Sequence, residues 1–353
     1  MSRPIEREDL QHVLEHTRGL WEELRDNRVF VTGGTGFFGC WLLETFCFAN
    51  DQLRLAAQMV CLTRDAAAFA RKAPHLAAHA GIRLLHGDVR HFDFPAGEFS
   101  HVIHAGATSA GHVAPLEEFD TIVSGTRRVL DFAVASHAQK FLFTSSGAVY
   151  GKQPFDLTHV PETYPGAPDP CNPRVAYDEA KRTAELLCSI YHREHGVETK
   201  IARCFAIVGP HLALDAHFAI GNFINDGLHG RAITVRGDGT PHRSYLYAAD
   251  LMIWLWTILI RGRACRPYNV GSENELSINE LAHRVAGCFT PVPAVRIETP
   301  PTAGKAADRH VPATSRARTE LELVQRIDLI TAIRKTIAWN AAERSSQTER
   351  TNT

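Results

Sequence analysis

Thr32-Gly33-Gly34-Thr35-Gly36-Phe37-Phe38-Gly39 follows the apolar run Arg28–Thr32 (RVFVT) directly and opens a stretch of helical composition. Its glycines at 33, 36 and 39 are spaced G-x-x-G-x-x-G. Glycine lets the backbone turn tightly and approach a pyrophosphate with no Cβ in the way. The helix behind it offers unpaired N–H groups and a partial positive charge to the phosphates. Glycines alone also suit an ordinary strand-to-helix turn. The strand before, the helix after and the alternation that continues make this a dinucleotide seat, with Gly33, Gly36, Phe37, Phe38 and Gly39 as its contacts.

Working outward, Gly39 to Phe48 reads as a helix, followed by strands at Gln58–Leu62, Ile82–His86 and His101–His104. A long helix spans Thr121–Ser136, a strand Lys140–Thr144, a helix Tyr177–His195 and a strand Lys200–Phe205. Short apolar runs separated by helices predict an α/β protein, a Rossmann-type doubly wound parallel sheet with a smaller C-terminal lobe. Residues 1–27 form an amphipathic N-terminal extension, with Leu10, Val13, Leu14, Leu20, Trp21 and Leu24 at helical spacing. It covers a sheet edge or an oligomer contact, or simply packs on its own subunit. Residues 28–206 form the dinucleotide-binding domain. Residues 207–341 form mainly the substrate lobe, with possible returns to the sheet through short elements such as Ile233–Arg236 and Tyr268–Val270. The polar residues 342–353 read as a disordered tail.

Of the 353 residues, 38 are Lys or Arg and 39 Asp or Glu, for a net charge of −1. So balanced a chain gives no electrostatic reason to expect nucleic acid or an anionic membrane as partner; a bound anion must be held by a few placed cations. The eight cysteines contain no C-x-x-C pair and match neither a zinc nor a disulfide pattern, so no metal is expected and the thiols read as reduced and largely buried. The N-terminus lacks the apolar core of a signal peptide, and the most apolar stretch, Leu251 to Ile260, is too short to span a bilayer. The expected location is the cytoplasm.

An acid at the end of the second strand would bind both ribose hydroxyls of NAD. Here that place holds Thr63, followed by Arg64 and Asp65. Either Arg64 pairs with the 2′-phosphate of NADP, or Asp65 reaches the ribose and Arg64 faces solvent; the cofactor is NAD or NADP, with a slight lean to NADP. Asp88 and Val89, after the third strand, are adenine candidates, unless Asp88 caps a helix. Tyr177 and Lys181 form Y-x-x-x-K, which puts an ammonium beside a phenol on one helix face. Lys⁺ and a positive nicotinamide ring would stabilise phenolate and make Tyr177 an acid/base near neutrality. Ser145-Ser146, just after the fifth strand, offers a hydroxyl to align the reacting oxygen with Tyr177.

On these residues the chain resembles the extended short-chain dehydrogenase/reductases, specifically the nucleotide-sugar epimerase/dehydratase family, from about residue 28 to 325. Thr144-Ser145-Ser146-Gly147-Ala148-Val149-Tyr150-Gly151 is similar to the family's serine-rich segment ending in V-Y-G. The resemblance implies Ser146, Tyr177 and Lys181 as catalytic residues, Ser145 as a substrate contact, and His104-Ala105 as the end of a cofactor strand. Gly237-Asp238-Gly239 with Arg243-Ser244-Tyr245 resembles a diphosphate-binding segment that would use Arg243, and Asp308-Arg309 a second phosphate arginine. It also implies a homodimer through helices 121–136 and 177–195.

The chain departs from the pattern at informative places. Family dehydratases carry Asp-Glu after the hydroxyl residue where Gly147-Ala148 stand here, and the decarboxylase glutamate is missing too. Ala206 replaces an asparagine that holds substrate, with Asn222 the candidate to take its place, and Ile122 stands where asparagine is common. These features imply a nucleotide-sugar epimerase working through a transient 4-keto intermediate, in glycan or lipopolysaccharide precursor synthesis. The rival readings are an NADPH-dependent ketoreductase of a 4-keto sugar nucleotide or other carbonyl, and a non-catalytic dinucleotide sensor.

Overall fold

A computed structural model of the protein describes residues 3–106, 113–216, 218–302, 304 and 306–351, with side chains as far as 343. In chain order the strands are β1 (Arg28–Thr32), β2 (Gln58–Thr63), β3 (Ile82–His86), β4 (His101–His104), β5 (Lys140–Ser146), β6 (Glu198–Cys204), β7 (Ile207–Val208) and β8 (Ile233–Val235). They continue with β9 (His242–Arg243), β10 (Leu246–Tyr247), β11 (Pro267–Val270), β12 (Leu276–Ser277), β13 (Val295–Ile297) and β14 (Arg309–His310). The helices are α1 (Arg7–Thr17), α2 (Phe37–Leu53), α3 (Ala66–Lys72), α4 (Pro74–Ala77), α5 (Pro115–Ala135) and α6 (Ala176–His195). The chain then adds α7 (Ala219–Leu228), α8 (Ala248–Arg261), α9 (Ile278–Ala286), α10 (Ser315–Leu321) and α11 (Leu329–Thr351).

Seven strands form one sheet in the order β11-β6-β5-β4-β1-β2-β3, and every pairing in it is parallel. Side chains alternate between the two faces, as a period of two requires. Val29, Val31, Met59, Cys61, Ile103 and Leu142 join a core with α1, α2 and α8, whereas Phe30, Val60, Leu62, Val102, Phe141 and Phe143 join a second core with α5 and α6. A sheet buried on both faces explains why its strands read as unbroken apolar runs.

The N-terminal extension packs on its own subunit. Leu10, Val13 and Leu14 of α1 are buried in the core that α8 also fills, and the Tyr247 hydroxyl donates to Asp9 at 2.6 Å. Trp21 lies 4.6 Å from Trp256 between ring centroids. The apolar stretch Leu251 to Ile260 is thus a core helix, and no described helix is long and apolar enough to cross a membrane.

From residue 207 onward the strands are short and gathered in pairs or a trio: β7 with β10, β8 with β13, and β9 between β12 and β14. The exception is β11, which returns to the edge of the large sheet beside β6. The polar segment expected to be a disordered tail instead continues α11 as far as Thr351. Its Ala, Glu, Arg and Gln residues are good helix formers, so low hydrophobicity there does not prevent helix.

Candidate active site

The carboxyl ends of the strands open onto one cleft of about 920 Å³, lined among others by Gly33, Gly36, Phe37, Phe38, Thr63, Arg64, Asp88, Val89 and Ala105. The same cleft is lined by Ser145, Ser146, Tyr177, Lys181 and Arg243. This is the edge at which open parallel sheets bind ligands. The glycine turn fits a closely approaching backbone. Gly33 has φ +72°, and a Cβ there would lie 2.4 Å from the Ala105 carbonyl oxygen. A Cβ on Gly39 would lie 2.1 Å from the Gly33 oxygen, so β1, the turn and α2 close on one another only with glycine at both places. Gly36 caps α2 with no side-chain partner, which leaves the first helical N–H groups at the cleft wall that Phe37 and Phe38 form.

Among the described residues, four cations, Arg64, Lys72, Lys181 and Arg243, line the cleft against one carboxylate, Asp88. Asp88 is itself held by Arg90 at 2.9 and 3.1 Å, and those bonds lower its pKa to about 2. In a chain of net charge −1 this concentration suits a cleft for polyanions. Asp65 is not among the cleft residues; its carboxylate caps α3 by accepting from the Ala68 N–H at 2.7 Å. Arg64 forms no ion pair among the described residues. Lys72, which the sequence did not single out, donates to the Thr35 carbonyl oxygen at 2.8 Å on the glycine turn. Nothing in its spacing marks it; only the fold of α3 against the turn brings it there.

His104 stands beneath the cleft wall. It is buried, 2.6 Å from the Thr32 hydroxyl and 3.0 Å from that of Thr126, and burial pushes its pKa down to about 3. It braces β4 against β1 and α5, while Ala105 reaches the surface of the cleft.

Tyr177 and Lys181 project from α6 across the end of β5. Lys181 is 2% exposed, donates to the Thr144 carbonyl oxygen at 2.8 Å, and has its ammonium 5.8 Å from the Tyr177 ring centroid. Burial lowers its pKa to about 8. The phenol departs from expectation: burial raises it to about 12, and the hydrogen bond with the Ser146 hydroxyl only partly opposes that. Because the ammonium turns to a carbonyl, it does not make the phenol acidic by itself.

The substrate candidates fare unevenly. Ser145 borders the cleft, but its hydroxyl donates to Glu185 at 2.6 Å rather than standing free. The β5 alternation directs Ser145 and Ser146 oppositely, which a dipeptide read in isolation does not show. Arg243 lines the cleft and pairs with Asp308 at 3.1 Å. Arg309 pairs with Glu275 at 2.8 Å and is not among the cleft residues. Its β14 register places it opposite His242, not Arg243. Asn222, on α7, is also outside the cleft lining, to which Ala219 and Ile220 of the same helix contribute. Among the described residues no cluster of His, Cys, Asp or Glu could hold a metal ion.

Position 147 is closed. A Cβ on Gly147 would meet the Phe205 ring at 2.7 Å and the His310 Nε2 at 2.8 Å. The space into which an acidic side chain would begin is filled by two rings, whose centroids are 4.7 Å apart.

The chain is 31% identical over 304 residues to UDP-glucuronic acid decarboxylase 1 of Arabidopsis thaliana, covering 86% of this chain and 67% of that one. An epimerase of Methanothermobacter thermautotrophicus superposes with a TM-score of 0.78 at 19% identity, covering 95% of this chain and 98% of that one. A dTDP-glucose 4,6-dehydratase of Streptomyces venezuelae, determined with NAD bound, gives a TM-score of 0.73 at 24% identity over 90% of this chain and 98% of that one. Residues 29–271 match the NAD dependent epimerase/dehydratase family, and the chain belongs to that family.

Proposed function

We propose that the protein is a nucleotide-sugar epimerase that oxidises a sugar hydroxyl to a transient ketone and reduces it again from the opposite face. One observation carries the reading. Ser146, Tyr177 and Lys181 meet the glycine turn in one cation-lined cleft, while Gly147-Ala148 carry no acid and Phe205 and His310 fill the space at 147. The acid pair that family dehydratases carry at this place has no counterpart here, nor does the decarboxylase glutamate. The resemblance to a decarboxylase therefore supports the substrate class, a nucleotide sugar, more than the reaction.

Gly33, Gly36, Phe37, Phe38 and Gly39 would hold the pyrophosphate of a nicotinamide dinucleotide, which when bound supplies the hydride acceptor and a positive ring. Ser146 holds the reacting oxygen by its hydroxyl, and Tyr177 Oη takes the proton from the substrate hydroxyl and later returns it. Lys181 fixes the floor of the site through Thr144. A phenol held near 12 by burial keeps its proton until a further positive charge arrives, so loading of the oxidised cofactor is what makes Tyr177 a usable base. Arg243 would take the substrate diphosphate in exchange for Asp308. The reading includes a homodimer through α5 and α6, on which Leu116 and Leu186 stand 81% and 60% exposed.

A second reading is supported by the ribose end. With Asp65 engaged as a helix cap and Arg64 and Lys72 both on the cleft, NADP is the cofactor that uses what is there, and an NADPH-dependent ketoreductase would need the same catalytic trio. A panel of UDP- and dTDP-sugars tested for thermal stabilisation and turnover distinguishes the readings. Interconversion of two epimers with no net change at 340 nm is expected. Stoichiometric NADPH oxidation would favour the reductase, and no stabilisation by any sugar nucleotide would remove the substrate assignment.

A further inference from the structure

Glu185 follows Tyr177 and Lys181 on the same face of α6, one turn beyond Lys181. The three side chains engage three consecutive residues at the end of β5: Tyr177 the hydroxyl of Ser146, Lys181 the carbonyl of Thr144, and Glu185 the hydroxyl of Ser145. Glu185 also accepts from Arg203 Nε at 2.9 Å and Nη2 at 2.6 Å. Arg203 lies on β6 as the register partner of Ser145, and its guanidinium stacks 4.7 Å from the Tyr150 ring centroid. Tyr150 is fixed in turn, its hydroxyl donating to Asn269 at 2.7 Å. Ser146 caps the short helical turn Gly147–Tyr150, accepting from the Ala148 N–H at 3.1 Å. Arg203 therefore grips both ends of the segment that carries Ser146, through Glu185 and Ser145 at one end and through Tyr150 at the other.

We propose that Glu185 and Arg203 are positioning residues, a clasp acting through Ser145 that sets the Ser146 hydroxyl against Tyr177. This rests on Ser146 and Tyr177 acting as the functional reading above assigns them. The side chains of Arg203 and Glu185 are only 14% and 12% exposed. A largely buried pair recovers little net stability, and apolar residues of similar size commonly serve the fold as well. What an apolar pair cannot do is hold a hydroxyl at a fixed angle. The pair does so one residue from a group whose displacement by about 1 Å costs on the order of a hundredfold in rate.

The test is a cycle of Ser145→Ala, Ser146→Ala and the double variant, with Arg203→Lys as a second probe that keeps the charge and loses the fork and the stacking. Ser145→Ala leaves the ion pair intact and is expected to lower kcat about tenfold with KM and melting temperature nearly unchanged. In the Ser146→Ala background it is expected to have no further effect. Equal, additive losses with and without Ser146, or a full rate in Ser145→Ala, would overturn the clasp. Titration of the phenol near 295 nm in the cofactor-loaded protein, taken as the difference from Tyr177→Phe, tests the same point without turnover. Ser145→Ala and Arg203→Lys should move it upward, and Ser145→Ala should move it no further once Ser146 is alanine. If the titration behaves so while no sugar nucleotide reacts, the substrate reading fails and the clasp stands; an unmoved titration removes the clasp.

Discussion

The two ends of the cleft are built on different principles. At the dinucleotide end the wall comes from the ends of β1, β2, β3 and β4, locked into the seven-stranded sheet, and from the start of α2, which packs on it. What selects a ligand there is backbone: an unencumbered glycine turn and the first N–H groups of a helix. At the other end Arg243 sits on a two-residue strand between two others, and its charge is met by Asp308 from a segment 65 residues away. On the proposed function, what would select a ligand there is side-chain charge already paired within the protein, so a substrate would have to displace a partner as well as fit.

That contrast is broken most directly between the ends, at Tyr177. Tyr177→Phe should lower turnover roughly a thousandfold, the usual range for loss of a general acid/base, with cofactor affinity within a few-fold. Steady-state rates with fluorescence titration of NADPH check it. Retention of a tenth of the activity would mean that another group moves the proton. At the backbone end, Gly33→Ala forces a Cβ to within 2.4 Å of the Ala105 oxygen at positive φ. Cofactor affinity should fall on the order of a hundredfold, because strain of a few kcal/mol must be relieved by moving the turn. Calorimetric titration with NAD⁺ and NADP⁺ would show it, and unchanged affinity for both would refute the role given to the turn.

Legibility in the sequence follows the same division. β1, β3 and β4 were placed to the residue, and β2, β5 and β6 within two residues, because a two-sided sheet writes itself as apolar runs. That Tyr177, Lys181 and Ser146 meet at one cleft was legible because helix period and strand end fix where such side chains go. The acidity of Tyr177 was not, because spacing does not reveal that Lys181 turns its ammonium to Thr144 or that desolvation outweighs the Ser146 hydrogen bond at the phenol. The partners of Ser145 and Arg309, Glu185 and Glu275, were not legible, nor was the place of Asn222 outside the cleft lining, because these are set by contacts far apart in sequence. Lys72 was missed because a lysine closing a short helix is ordinary until the helix is docked.

The cleft's floor provides a test that needs no substrate. Burial lowers His104 from an unfolded value of 6.5 to about 3, so between those values the folded protein binds fewer protons than the unfolded chain. Stability is therefore present in full above about pH 6.5 and is lost as pH falls towards 3. His211 and His310, lowered to about 3 and about 4, act in the same window and sign. Between pH 7 and pH 5 His104 alone should account for about 2 kcal/mol, at 1.4 kcal/mol per pH unit. Urea unfolding of the wild type and His104→Gln at both pH values measures the difference. Equal losses would mean that the imidazole is not held neutral at the end of β4.

The smallest effects test the substrate end. Arg243→Gln removes a cation that lines the cleft and should raise KM for a sugar nucleotide at least tenfold with kcat nearly kept, since a charged hydrogen bond contributes about 1.5–3 kcal/mol. Arg309→Gln should change KM less than about fivefold, because its pair with Glu275 at the edge of the lobe lies in the range of 0–1 kcal/mol and does not touch the cleft. The ratio between the two variants matters more than either value. If both raise KM equally, Arg309 leaves Glu275 when substrate binds, and two arginines close on the diphosphate as the family resemblance implies. If only Arg243 responds, the diphosphate is held by one arginine, and the arrangement of β14 beside β9 is a fixed wall and not a closing jaw.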